Sequence, residues 1–342
     1  MVSLRIGLAA CVFHCVLFPI RAHGSPLQEG KTPLERGVEA FERGDYALAR
    51  EEMTRAIEED PTNADAYFQR ARAALWADDP DPAIPDATEA IRLRPDWPDA
   101  YGLRGWAHLK NAAFPQAIAD LSEAIRLDPR SFKDYGNRGL AYSMTNEPAK
   151  ALADYDQALR LEPTSFEALA NRGSLLIELG EYDKALTDVN RLIRLKPNLA
   201  IAYAARGMAY LGKKNGEQAL NDCNRALELD LNEPIAHASR AQVHVSQGRL
   251  DDALKDANAA IKLDPSSTKA FQVRGFVAAK KGDLTRALED INESIRLAPA
   301  EVFSYKVRAA IYEALRDYER ASRDYQTILR LQAPEDDNKE LK

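Results

Sequence analysis

This sequence predicts an all-α fold built from tandem helical hairpins, and three observations carry that reading. Prolines fall on one 34-residue lattice, at Pro61, Pro95, Pro129, Pro163, Pro197, Pro265 and Pro299, with Leu231 and Ala333 taking the two remaining points. Twelve residues before each point stands alanine (Ala49, Ala83, Ala117, Ala151, Ala185, Ala219, Ala253, Ala287, Ala321). Twenty-four residues before it stands a small residue (Gly37, Ala71, Gly105, Gly139, Gly173, Gly207, Ala241, Gly275, Ala309). A fixed period of this length is the mark of a repeat architecture. Composition agrees, since 45% hydrophobic and 29% charged residues with only 17 Gly and 18 Pro make a mixture rich in helix formers.

The chain begins with a segment that stands apart from the lattice. Met1 to Arg5 is a short basic start, Ile6 to Ile20 a mostly apolar run, and Ala22-His23-Gly24 a small-residue cleavage site before Ser25. The run is short for a membrane span, which needs about 20 apolar residues. Residues 1–24 are therefore expected to be an export signal cleaved after Gly24, giving a periplasmic or extracellular protein. Alternatives are a retained anchor, the one route to a membrane, or a lipoprotein box at Leu8-Ala9-Ala10-Cys11. Cleavage removes Arg5 and Arg21 and no acid, taking the formal charge of −7 to −9. That balance argues against nucleic acid or an anionic membrane as a partner. Of three cysteines only Cys223 lies outside the signal, so no internal disulfide is available to the mature chain.

Residues 25–29 form a short linker, residues 30–334 nine repeats, and residues 335–342 an acidic tail. In the first repeat Thr32-Pro33-Leu34-Glu35 reads as a helix start with a capping box. In the second, Pro80, Pro82 and Pro85 predict a second helix that begins late and is locally distorted. The repeat from Ala200 to Leu231 shows the unit clearly. Tyr203, Gly207 and Tyr210 make one i, i+4, i+7 stripe, Ala219, Cys223 and Ala226 a second, and the polar turn Gly212 to Gly216 separates them. The lattice proline blocks continuation of the second helix. One pair cannot bury its own apolar face, so neighbours must stack.

Two charged rows run along the same lattice. Arginine stands immediately before every lattice Gly or Ala of the first stripe (Arg36, Arg70, Arg104, Arg138, Arg172, Arg206, Arg240, Arg274, Arg308). An acid follows three places after every lattice alanine of the second (Glu52, Asp86, Asp120, Asp154, Asp188, Asp222, Asp256, Asp290, Asp324). Each row shares a stripe with packing residues, where a lone charge is costly and a guanidinium–carboxylate pair is tolerable. Nine cross-helix ion pairs are expected, formed either within a repeat or between neighbours. The competing reading is a basic track for a polyanion.

The pattern resembles the tetratricopeptide repeat family. Its 34-residue unit has a large residue at position 4, small at 8, aromatic at 11, alanine at 20, apolar at 24, small at 27 and proline at 32. With each lattice point counted as position 32, the resemblance covers Gly30 to about Pro334. It departs at Pro33, which takes position 4 of the first repeat, and at the arginine row, where the family more often has leucine. The resemblance implies a right-handed superhelical solenoid that acts as a non-enzymatic scaffold, holding an extended peptide or partner protein in its groove. An alternative is an assembly component of an envelope complex, through end-to-end or self-association. Groove positions 2, 5, 9, 12 and 13 of that family fall on Phe68, Arg72, Trp76, Trp106 and Lys110 toward one end. They fall on Met208, Leu211, Phe276 and Lys280 further along. Trp76 and Trp106 equally suit packing against adjacent helices. The transferred groove suits apolar anchors with a mild acidic bias. Lys133, Asn137 and Asn171 supply only fragments of the family's carboxylate clamp.

Catalytic chemistry is missing from the pattern. No phosphate loop or nucleophile elbow occurs, and no segment outside the repeats could hold a catalytic domain. His237 and His244, like His108, occupy positions where aromatics stand, and read as core histidines rather than metal ligands. No cofactor is expected.

Overall fold

The computed structural model describes residues 30–332; the expected signal, linker and acidic tail lie outside them. Among the described residues are eighteen helices and no strand. They are α1 (Pro33–Glu42), α2 (Tyr46–Glu59), α3 (Ala64–Trp76), α4 (Ala83–Leu93), α5 (Pro98–Lys110), α6 (Phe114–Leu127), α7 (Phe132–Met144), α8 (Pro148–Leu161) and α9 (Phe166–Glu178). There follow α10 (Tyr182–Leu195), α11 (Ala200–Gly212), α12 (Gly216–Leu229), α13 (Pro234–Ser246), α14 (Leu250–Leu263), α15 (Thr268–Lys280), α16 (Leu284–Leu297), α17 (Val302–Ala314) and α18 (Tyr318–Gln332). The fold is an all-α solenoid of helical repeats.

Local signals account for where the helices start and stop. The Thr32 side chain accepts from the Glu35 amide while Glu35 returns to the Thr32 amide, completing the capping box. Asp45, Asn63, Ser131, Asn215 and Asp283 cap later helices in the same way, each accepting an amide proton three residues on. Proline stands at the first or second position of α1, α5, α6, α8 and α13, where its missing N–H leaves nothing unpaired. The second helix of the proline-rich repeat begins late, at Ala83. Pro85 falls in its first turn, so no helical hydrogen bond is lost there and the expected local distortion has no cause.

The turn inside each hairpin repeats one conformation. Gly44, Asp78, Ala112, Asn146, Gly180, Lys214, Gly248, Gly282 and Arg316 all have φ between 54° and 84° and recur once per repeat. Only four are glycine; Ala112, with no side-chain polar group to compensate, adopts the left-handed region against its own Cβ.

The chain divides within α9 into two compact units, one ending at Leu175 and the other beginning at Leu176. In the first, α1/α2, α3/α4, α5/α6 and α7/α8 form hairpins. Each second helix packs on the next first helix, and α1, α3, α5 and α7 lie side by side in that order. In the second unit, α11/α12, α13/α14, α15/α16 and α17/α18 do the same, with α11, α13, α15 and α17 side by side.

Within a hairpin the small residue at position 8 is matched to the residue at position 24. A Cβ on Gly105 would lie 2.7 Å from Leu121, one on Gly139 2.8 Å from Tyr155, and one on Gly275 2.9 Å from Ile291. Where position 8 is Ala71 or Ala241, position 24 is Ala87 or Ala257, and all four are fully buried. In these pairs a smaller residue at one position admits a larger one at the other, as close packing demands; the last hairpin departs from this, with Ala309 at position 8 and Tyr325, 43% exposed, at position 24.

Arginines of the row bond acids within their own hairpins and also join neighbouring hairpins. Arg70, Arg104, Arg138, Arg206, Arg240, Arg274 and Arg308 each grip the acid 16 residues later with two N–H···O bonds of 2.6–2.9 Å; Arg36 bonds Glu52 at 2.8 Å. The acids are almost wholly buried, from Asp188 at 1% exposed to Asp86 and Asp120 at 8%. The remaining nitrogen, Nη1, donates to a polar residue on the second helix of the preceding hairpin. Its acceptors run Thr54, Thr88, Ser122, Asp156, Asn190, Asn224, Asn258 and Asn292, at 2.6–3.1 Å. These bonds consume the donors that a polyanion track would need, so the row holds the fold together.

Candidate functional site

Two places bring the sequence-predicted site residues together, one in each unit. In the first unit the aromatics of successive first helices meet. Phe41 of α1 packs edge-on to Trp76 of α3, with ring centroids 5.7 Å apart, and Trp76 edge-on to Trp106 of α5 at 4.6 Å. Trp76, Trp106 and Phe68 share one core cluster with Ala71, Leu75, Ala87 and Leu103, and Phe68 also stacks on Trp97 at 4.5 Å. Trp106 is 9% exposed, whereas Trp76 keeps more of its surface in water.

The charges of this patch have unlike surroundings. Lys110 pairs with Asp78 of the neighbouring hairpin and lies 5.7 Å above the Trp106 ring. Arg72 lays its guanidinium 3.8 Å from the centre of the Phe41 ring. Its Nε is buried and donates to no partner. Burial pulls its pKa below the usual range, opposed only by the charge of Glu42.

In the second unit a cavity of about 410 Å³ opens among α9, α10, α11, α13 and the start of α15. Ile177, Met208, Leu211, Pro234, Ile235 and Ala238 form an apolar floor, and Glu178, Ser239, Gln242, Asp264, Ser267, Thr268, Lys269 and Glu301 contribute polar groups around it. One wall is the Tyr182 ring, which lies so close over Gly212 that a Cβ there would fall 2.1 Å from it. The Lys269 ammonium is 4.0 Å from Glu301. Met208 and Leu211 are thus brought together as expected. Phe276 and Lys280 are not among the lining residues; they form a cation–π pair of their own at 5.5 Å. The transferred positions of α11 and α13 carry no charge, yet the flanking elements bring Glu178, Asp264, Lys269 and Glu301 to the edge of that surface. Tyr182, Ser239 and Glu301 lie outside the transferred positions, and the small residue Gly212 was the one available sign of a bulky neighbour.

The histidines are held as core residues. His237 bonds Asp256 at 2.9 Å and the Leu231 carbonyl at 3.1 Å; His244 Nε2 stands 3.5 Å from the same carboxylate, and burial pushes its pKa down. Asp256 would be raised by its own burial, but hydrogen bonds from Arg240 and His237 overcome this and bring it to about 2. Among the described residues no three His, Cys, Asp or Glu are grouped so as to hold a metal ion. None of the described helices is long and apolar enough to cross a membrane. Burial raises the Cys223 thiol to about 12, which leaves it unreactive.

Comparison with known proteins agrees with this architecture. Models of the tetratricopeptide repeat match residues 40–106, and then in overlapping pairs 137–200, 172–234, 204–268 and 239–302. Among solved structures, a tetratricopeptide repeat protein from Parabacteroides merdae is 25% identical, with 71% of this chain and 96% of that chain covered at a TM-score of 0.56. The Cut9–Hcn1 hetero-tetramer of the APC/C is 14% identical, covering 97% of this chain and 65% of that one at a TM-score of 0.61. PilF from Pseudomonas aeruginosa is 21% identical, covering 62% and 97% at a TM-score of 0.50. The last two show the fold alone. No curated protein matches the sequence. Matched repeat models along most of the chain, the helical hairpins and the shared lattice lead to one conclusion: this chain belongs to the tetratricopeptide repeat family.

Proposed function

We propose that the chain is an exported interaction scaffold that holds an extended segment of a partner protein in the cavity at Met208 and Leu211, and that it carries out no chemistry of its own. The repeat fold is consistent with protein–protein interaction. The observation that carries the finer reading is the cavity itself, about 410 Å³ with an apolar floor and a broken ring of polar groups. Such a lining buries one or two apolar side chains while the rim meets the main chain of the bound segment. Extended peptides selected from a random display library on the chain beginning at Ser25 would test it. The selected peptides should lose at least ten-fold in affinity, by calorimetry, against a Met208→Glu/Leu211→Glu variant of unchanged helicity. Unchanged affinity would remove the cavity from consideration.

Self-association is a second reading, favoured by the surface of α18. Tyr318, Tyr325 and Leu329 make one i, i+7, i+11 stripe and are 67%, 43% and 69% exposed. The corresponding Tyr155 and Leu159 of α8 are 1% and 7% exposed, and Cys223 and Leu227 of α12 0% and 4%. A second copy of the chain, presenting the same stripe, would cover it. Light scattering across concentration separates the readings: a constant mass supports capture by a monomer, and growth lost on Leu329→Lys supports the second.

A further inference from the structure

We propose that Arg72, on its platform of Phe41 and Trp76, is a binding site for a carboxylate carried next to an aromatic or other flat apolar group. The site lies in the first unit and shares no residue with the cavity at Met208. Its geometry differs from that of the chain's other well-placed arginines. The row arginines spend their nitrogens on buried acids and on the preceding hairpin, as described above. Arg72 spends none of its nitrogens on an acid: its Cζ stands over the Phe41 ring, 3.8 Å from the ring centre, and its Nε finds no acceptor.

Stacking on an aromatic uses the π-face of a guanidinium and leaves the in-plane N–H edge available. That edge, through Nη1 and Nη2, matches the two oxygens of a carboxylate. Half-burial among apolar rings lowers the hydration that a ligand must displace. Trp76, edge-on to Phe41 and partly exposed, supplies a surface for a flat group beside the carboxylate. The nearest opposing charge is Glu42, exposed at the end of α1 and not within ion-pair distance, so it competes weakly for the same edge. Lys110 is engaged with Asp78 and contributes only to the field. A phosphate would meet the same donors but would gain nothing from the ring beside them.

Trp76 and Trp106 make the site its own reporter. The full chain would be titrated with Ac-Glu-Phe-NH2 and, separately, Ac-Gln-Phe-NH2, following tryptophan fluorescence. The glutamate probe should bind at least ten-fold more tightly than its amide twin. Arg72→Met, which keeps the packing on Phe41 without the charge, should abolish that difference at unchanged circular dichroism. Arg72→Lys should retain part of it, and Glu42→Gln should tighten the glutamate probe two- to three-fold and leave the amide unaffected. Should Arg72→Met lose helicity, the Glu42→Gln result carries the test. Equal binding of the two probes, no saturable response to either, or a preference that survives in folded Arg72→Met would overturn the proposal. The Met208→Glu/Leu211→Glu variant should keep the preference, so failure of the cavity reading and failure of this one are distinguishable.

Discussion

A guanidinium held against a buried carboxylate is stabilising only as a pair. Arg138 is typical: it grips Asp154 with two nitrogens, reaches Ser122 with the third, and keeps only 18% of its side chain exposed. Arg138→Leu leaves the Asp154 carboxylate in the packing layer and should cost about 3 kcal/mol, the low end for a broken buried pair because the arginine is not fully desolvated. The double change Arg138→Leu/Asp154→Leu should recover most of it. Urea denaturation of the three chains checks this, and a single variant as stable as the parent would make the row decorative. Two buried acids outside the row behave in the opposite way. Asp134 takes a position where Ala66, Ala100, Ala168, Ala202, Ala236 and Ala270 are buried, and its oxygen lies against Gly102. Burial raises it to about 6, and burial likewise raises Glu233 to about 7. Since their folded pKa values exceed the unfolded ones, protonation favours the folded state. Stability should rise as pH falls from about 7 to about 4, through the folded pKa values, and level off below the unfolded ones. Asp256 has the opposite sign, with its contribution lost only as pH falls through about 2. Asp134→Ala should add on the order of 2 kcal/mol at pH 7 and flatten the dependence between pH 4 and 6. A thermal melt at pH 7 and pH 5 checks both halves.

Between the two helices of a pair, the residues at positions 8 and 24 limit each other's size where both are buried. Gly105 admits Leu121 because it has no Cβ, and Ala71 stands opposite Ala87 because it has one. Gly105→Ala puts a methyl 2.7 Å from the Leu121 side chain and should destabilise by about 1–3 kcal/mol through overpacking. Leu121→Ala alone should cost about 2–5 kcal/mol through the cavity it leaves. Together they recreate the Ala71/Ala87 pair, so the double variant should be more stable than the sum of the two losses implies. A double-mutant cycle in urea measures the coupling, and strict additivity would show that the two positions do not sense each other. The turn between the helices follows a different constraint, the left-handed backbone at one residue, which Ala112 adopts without the glycine found at Gly44 or Gly248.

Export concerns the molecule as a whole, because it decides which chain exists to fold. The basic start, the apolar run from Ile6 to Ile20 and Ala22-His23-Gly24 motivate the proposal that the working protein begins at Ser25. Expressed with its own leader in a secreting host, the protein should be recovered outside the cytoplasm with Ser25 as its first residue by terminal sequencing. Recovery of intact Met1 on a membrane fraction would instead make residues 6–20 an anchor.

The repeat, and everything that depends on its period, is legible in the order of amino acids alone. Proline, alanine and small residues at fixed intervals specify helix ends and close helix contacts, and both are local consequences of backbone geometry. The capping box at Thr32, the late start at Ala83 and the burial of the arginine and acid rows could all be read on that basis. The partner of each arginine could not. For Arg138, Ser122 and Asp154 lie equally far along the chain and both are polar; only the packed hairpins show that Nε and Nη2 take Asp154 while Nη1 takes Ser122. Nor could the character of the two faces be read. Groove positions carried over from the family name residues of first helices, Glu178 among them, whereas Asp264 and Glu301 reach the cavity from helix-flanking positions far apart in the chain. Packing also set the state of Arg72. No acid stands within five residues of it along the chain, and burial with the approach of Phe41 from the preceding hairpin places the guanidinium on a ring instead of a carboxylate. A periodic pattern encodes contacts that recur in every repeat; the contacts that differ from one repeat to the next depend on which side chains meet, and chain-distant meetings carry no periodic signal.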